Sequence, residues 1–229
     1  MISKRRFIQG SMLATLFPMK FRLLAEESTM QSIIAEIISE YAGQGIHRTG
    51  TNVDNQSADW LMHRIEMLDV VATDTAFEFQ RLQPITTQLS LVGSTIPGVP
   101  LYDCHYTNES AITGSIGELG SNADIGVSMS LPFASAPNGL LIHAARKEGQ
   151  HKAIVVVTDS RLPKDGVALL NAEDFTSPFG PPVLQVANKH WADIQSAIKS
   201  GMEASLVLQC EYVKATARNV EARIEGSKP

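Results

Sequence analysis

Apolar residues recur at three- and four-residue intervals early in the chain. Met30, Ile33, Ile34, Ile37, Ile38 and Tyr41 form one stripe, which predicts a helix. Ser28 can cap its start, and Gly43 and Gly45 stop it. A polar loop, His47-Arg48-Thr49-Gly50-Thr51-Asn52, leads to Asp54, and a second amphipathic helix carries Trp60, Leu61, Ile65 and Leu68 on one face. The period then changes to two. Phe77 and Phe79 alternate with Glu78 and Gln80, and Leu89 and Leu91 repeat the alternation, as half-exposed strands do.

From about Pro97 the runs shorten. Val99 to Cys104, Ile112 to Leu119 and Ile125 to Met129 read as strands separated by Gly, Asn and Pro. A helix with Leu140, Leu141, Ala144 and Ala145 ends near Gly149. Ala153-Ile154-Val155-Val156-Val157 is a continuous β-branched run of the kind buried on both faces of a sheet. A further strand, helix and strand follow at Val183 to Val186, Trp191 to Ile198 and Leu206 to Cys210. Near the end Val220, Ala222 and Ile224 alternate with charged residues as one more half-buried strand, which needs a neighbouring sheet. Strands alternating with helices predict a mixed α/β (α+β) architecture.

The chain has 229 residues and a formal charge of −5, from 19 basic and 24 acidic residues. That balance lacks the concentrated positive surface that nucleic-acid binding requires, so no nucleic-acid partner is expected. The charge is uneven. Residues 1–25 hold Lys4, Arg5, Arg6, Lys20 and Arg22 and no acid, so the rest carries 19 − 5 = 14 basic against 24 acidic residues, a net of −10. Paired arginines ahead of Phe7 and Ile8, then a modest apolar stretch, resemble a twin-arginine export signal with Ala25 as a small cleavage residue. The stretch is too short for a permanent membrane span. Export would place the protein in the periplasm or outside the cell. The other reading, a basic N-terminal helix packed on the domain, would leave it cytoplasmic.

No set of residues reads as a catalytic centre. His47, His63, His105, His143, His151 and His190 are scattered without ligand spacing, so no metal site is expected. There is no G-x-S-x-G elbow. Cys104 and His105 are neighbours in an expected strand and point to opposite faces, so they form no local dyad. A hydrolase using Cys104 or a serine would need a base that the sequence does not supply. Gly114, Gly117 and Gly120 have the wrong spacing for a dinucleotide fingerprint. Cys104 and Cys210 both end expected strands. In an oxidising compartment they could form a disulfide; two buried thiols are the other state open to them.

Several runs in order resemble a known arrangement: a helix, the H-R-T-G-T loop, a helix with Ser57-Ala58-Asp59-Trp60-Leu61, an inserted α/β module, and Ala217-Arg218-Asn219-Val220-Glu221-Ala222-Arg223-Ile224-Glu225-Gly226. The order resembles the N-terminal region of zinc-dependent exopeptidases related to bacterial aminopeptidases and glutamate carboxypeptidase. There a protease-associated (PA) domain precedes an N-V-x-A-x-x-x-G strand that opens the catalytic sheet; Asn219, Val220, Ala222 and Gly226 match it. Asp69 stands where a helix-ending glycine would be expected, and Asp tolerates the left-handed conformation next best.

The resemblance implies four parts: an export signal at 1–25, a helical region at 26–96, a PA-like accessory domain at 97–213, and at 214–229 the stub of a missing catalytic domain's first strand. The family's zinc ligands and general base lie beyond that strand. Zinc is thus implied for a full-length relative, and no cofactor, catalytic residue or metal ligand for this chain. On this reading the chain is the non-catalytic accessory portion of an exported peptidase-like protein. Its partners would be the missing catalytic domain and a peptide or protein substrate. The alternative is a complete exported binding module. The residues offered as a site are His47, Arg48, Thr49 and Gly50, a loop expected to face the catalytic cleft.

Overall fold

The computed structural model describes residues 16–131, 138–168 and 174–226, with backbone only for 16–28. Most of the expected export segment lies outside the described residues. Among those described are four α-helices and eight strands. They fall into two compact units, one of residues up to Phe79 and from Lys214 onward, the other Gln80–Val213.

The first unit holds α1 (Leu16–Gly43) and α2 (Asn52–Glu66). α1 stops at Gly43 as its glycines require, but its backbone is helical from Leu16, so Ser28 is not its cap. The apolar stripe is present and uncovered: Ile37 is 37% exposed and Ile38 62%. α2 begins at the cap Thr51, whose side chain accepts from the Asp54 N–H at 3.2 Å. Leu68 falls beyond the helix, in the turn where Asp69 takes φ 58°. Asp69 thus supplies the left-handed residue that a glycine usually provides.

Two strands belong to both units. β1 (Ala72–Leu91) joins the two alternating runs read from the sequence into one strand, and β8 (Glu203–Ala222) likewise carries Leu206–Cys210 on to Ala222. The expected stub at 214–229 is therefore, up to Ala222, the second half of a longer strand. Pro84 does not break β1. β2 (Ser94–Pro97) pairs with Gln88–Leu91, so this pairing stops short of Pro84.

In the second unit the strand order is β2-β1-β8-β4-β5-β6-β7-β3, with β3 (Val99–Pro100), β4 (Ile112–Glu118), β5 (Ile125–Met129), β6 (Ala153–Val157) and β7 (Val183–Val186). β4 to β7 are parallel; β8 pairs antiparallel with β4, and β3 with β7. Every residue of β6 is 0% exposed, and β7 is buried throughout, as sheet covered on both faces requires. α3 (Gly139–Glu148) and α4 (Trp191–Ser200) add Ile142, Ala145, Ile194 and Ala197 to the core. Both helices end on glycines with positive φ, Gly149 and Gly201. The edge strands are short and contain Pro97 and Pro100, which blunts them against further pairing.

The unit begins at Gln80 rather than near Pro97, because Leu82, Leu89 and Ile96 are fully buried in it. The run Val99 to Cys104 is a strand only at Val99–Pro100. Beyond it the chain turns, and Asp103 points inward to an arginine.

Candidate functional site

In the first unit the loop at 47–50 is a turn tied at nearly every polar atom. The His47 Nε2 donates to the Tyr41 carbonyl at 2.9 Å, which can only accept, and Nδ1 lies 2.7 Å from Ser57 Oγ. Ser57 is buried, and its Oγ also lies 2.6 Å from Gln44 Oε1 and 2.8 Å from Val53 O. The His47 ring stacks on Tyr41 with centroids 3.9 Å apart. The Arg48 carbonyl accepts from the Thr51 N–H at 3.0 Å and the Thr51 hydroxyl at 2.7 Å. Gly50, at φ 72°, donates its N–H to Asp54 Oδ2 at 2.8 Å; a Cβ there would sit 2.8 Å from the Phe79 ring and 2.9 Å from Ala215. Thr49 is exposed. The loop thus caps α2 and fixes the chain between the two helices. Both imidazole nitrogens thus face protein atoms within 2.9 Å, inside the loop's own hydrogen-bond network.

Sequence reasoning missed the charge cluster beside it. Arg218 pairs with Asp59 through Nη1 and with Asp74 through Nε at 2.6 Å; Nη1 also reaches Asn55 O at 3.5 Å. Hydrogen bonds to the two carboxylates, Asp59 first, raise the Arg218 pKa above its ordinary value. Asn55 donates to Thr216 O at 3.1 Å. The signal was present in the S-A-D-W-L and A-R-N-V runs, but nothing local showed that Asp59 and Arg218 meet.

In the second unit Cys104 and Cys210 are not bridged by a disulfide. Cys104 is buried, and its Sγ donates to Leu101 O at 3.2 Å and accepts from the Val183 N–H at 3.4 Å. Burial pushes the Cys104 thiol up to about 12, so it is no nucleophile at neutral pH. Next to it lies a buried ion pair. Arg146 and Asp103 have side chains 1% and 6% exposed, with Nη2 2.9 Å from Oδ1 and Nη1 3.3 Å from Oδ2. Nη2 also donates to the Asp103 carbonyl at 2.8 Å and the Phe179 carbonyl at 3.2 Å, and the guanidinium lies 4.0 Å over the Phe179 ring. His105 Nδ1 donates to Gly180 O at 2.6 Å. These contacts clamp Pro178-Phe179-Gly180-Pro181-Pro182, the run that feeds β7. His151 is also buried: it accepts from the Gly120 N–H through Nε2 and donates to Ala123 O through Nδ1.

Among the described residues no group of three or more His, Cys, Asp or Glu is placed to hold a metal. No described helix is long and apolar enough to cross a membrane.

The mixed α/β fold of these two units is one found in solved peptidases. A Peptidase M28 precursor from Shewanella amazonensis SB2B matches with a TM-score of 0.61 at 17% identity, over 90% of this chain and 53% of that one. A zinc aminopeptidase from Bacillus subtilis matches at 0.58 and 17%, over 80% of this chain and 44% of that one. At such identities the likeness is one of fold. This chain spans about half the length of the solved chains it matches. No protein-family model and no curated protein matches the sequence.

Proposed function

We propose that this chain is the accessory portion of an exported zinc-peptidase-like protein. Its second unit acts as a PA-type module that gates or binds part of a peptide substrate. Its first unit packs against a catalytic domain carrying the metal ligands and base. The observation that supports this reading is the coverage: 90% of this chain matches 53% of an M28 peptidase precursor. The loop His47–Gly50 and the Arg218 cluster then hold the first unit's chain segments in register for docking, and bond rearrangement is left to the partner domain. By analogy with the matched fold, peptide hydrolysis belongs to the assembled protein. The test is direct. The purified 229-residue chain, given zinc and aminoacyl-p-nitroanilides, should show no turnover and retain no stoichiometric zinc after dialysis. Metal-dependent release of nitroaniline by this chain would overturn the proposal.

One observation favours the alternative of a stand-alone exported binding module: Lys214–Ala222 continues β8 rather than standing apart as a separate strand. Amide exchange at 218–222 as slow as in β6 would support it; rapid exchange there would support the accessory reading.

A further inference from the structure

A groove of about 470 Å³ crosses the second unit between α3 and the ends of β4 and β5. That volume lies within the range of small-ligand and short-peptide sites. Its apolar lining comes from Leu119, Val127, Met129, Leu141, Ala144 and Trp191. Leu141 is 61% exposed, so the groove offers apolar surface that the fold has not covered.

The polar groups divide sharply. The Gly120 N–H is held by His151 and its carbonyl by Gln150, and the Asn138 amide donates to Met129 O. Four side chains with polar atoms that line the groove make no hydrogen bond or ion pair among the described residues: Glu118, Glu148, Ser128 and Trp191. Ser128 is only 9% exposed and lines the groove, so what remains accessible of it, without a protein partner, is open to a ligand there. The two carboxylates stand on the lining with no cation among the lining residues. An uncompensated negative, half-apolar cleft selects a partner that is positive and half-apolar.

We propose that this groove binds an extended peptide segment in which an apolar side chain lies next to a lysine or arginine. The apolar side chain seats against Leu141, Val127 and Trp191. The cation is held between Glu118 and Glu148, and a backbone group meets Ser128. This deepens the reading of the second unit as a substrate-binding module and rests on it for biological meaning, but it is tested by binding alone.

The probe is a fluorescein-labelled, N-acetylated and C-amidated Lys-Leu-Lys-Leu peptide, titrated with the full chain and followed by anisotropy at low and moderate salt. Glu-Leu-Glu-Leu is the control, and unacetylated Leu-Leu-Leu tests whether a free amino terminus is the cation recognised. The basic peptide should bind, weaken as salt rises, and outcompete the acidic one. Glu118→Gln with Glu148→Gln should weaken it about fivefold, the product of two partly exposed ion pairs. Ser128→Ala should weaken it about threefold. Both carboxylates are on the surface, so circular dichroism of that double variant should match the parent. Equal binding of acidic and basic peptides, preference for the free amino terminus, an unchanged double variant, or no binding up to about 1 mM would each overturn the groove assignment. They would leave the accessory role untouched, because that stands or falls on turnover.

Discussion

Replacing Arg146 by methionine keeps most of the side-chain volume and removes the charge. It leaves the Asp103 carboxylate, 6% exposed, without its counter-ion, and the Phe179 carbonyl without its donor. Breaking a buried pair by removing one partner costs about 3–5 kcal/mol. Unfolding of a unit this size falls by about 2 kcal/mol per molar urea, so the midpoint should move down by about 1.5–2.5 M. The double variant Arg146→Met with Asp103→Leu removes both charges together. Replacing both members by apolar groups is often neutral or better, but here the Phe179 carbonyl is still orphaned, at about 1–3 kcal/mol. The double variant should therefore be more stable than the single one. The assay is urea denaturation followed by Trp191 fluorescence in a Trp60→Phe background, since Trp191 reports on the second unit and Trp60 lies in the first. A single variant that loses less than about 1 kcal/mol, or a double variant less stable than the single one, would refute the claim that this pair clamps the Phe179 loop.

Gly126→Ala would place a Cβ 2.5 Å from the His151 ring and should destabilise the second unit by about 1–3 kcal/mol, read from the same urea transition. Native Cys104 should resist iodoacetamide at pH 8 and react once urea unfolds the chain, because burial holds its pKa near 12; rapid labelling of the native protein would contradict this. Hydrogen bonds from Lys152 and then Ser115 lower the Asp124 pKa from 3.8 to about 2. A depressed carboxyl stabilises the fold above its unfolded pKa, so this contribution is full above about pH 5 and is lost as pH falls through 4 toward 2. Asp124→Asn should flatten the urea midpoint over that window. Ser57→Ala removes the hydroxyl that faces His47 and should cost the first unit about 1 kcal/mol, seen as faster amide exchange at 47–57.

The second unit's centre was legible from sequence because its environment is uniform. Ala153–Val157 and Val183–Val186 are buried along their whole length, and Ile125–Met129 at all but its last residue, so composition alone marks them as core strands. The long strands were not. β1 and β8 change surroundings along their length, from buried Leu82 and Leu208 to exposed Glu78 and Glu211, and polar stretches read as gaps. The α1 stripe set the helix but could not say what covers it, since periodicity reports a face and not its partner. Arg146 was opaque for another reason. In the last turn of a helix an arginine normally complements the dipole in solvent. Here it is driven inside by Asp103, 43 residues earlier.

Arg218 carries the same lesson to the candidate site. The runs that gave the sequence its resemblance, S-A-D-W-L and A-R-N-V, lie 159 residues apart and meet through Arg218 and Asp59. Isolated surface pairs contribute little, but Arg218 is 20% exposed and holds two carboxylates, a backbone carbonyl and the Met62 sulfur at 3.4 Å, a network rather than a pair. Asn55 adds a second link by donating to Thr216 O. None of these contacts places a nucleophile, a base or a metal ligand. They fix one helix against one strand. Residues of that kind can keep a fold recognisable at 17% identity while saying nothing of the reaction, because packing geometry constrains them independently of the chemistry mounted beside it.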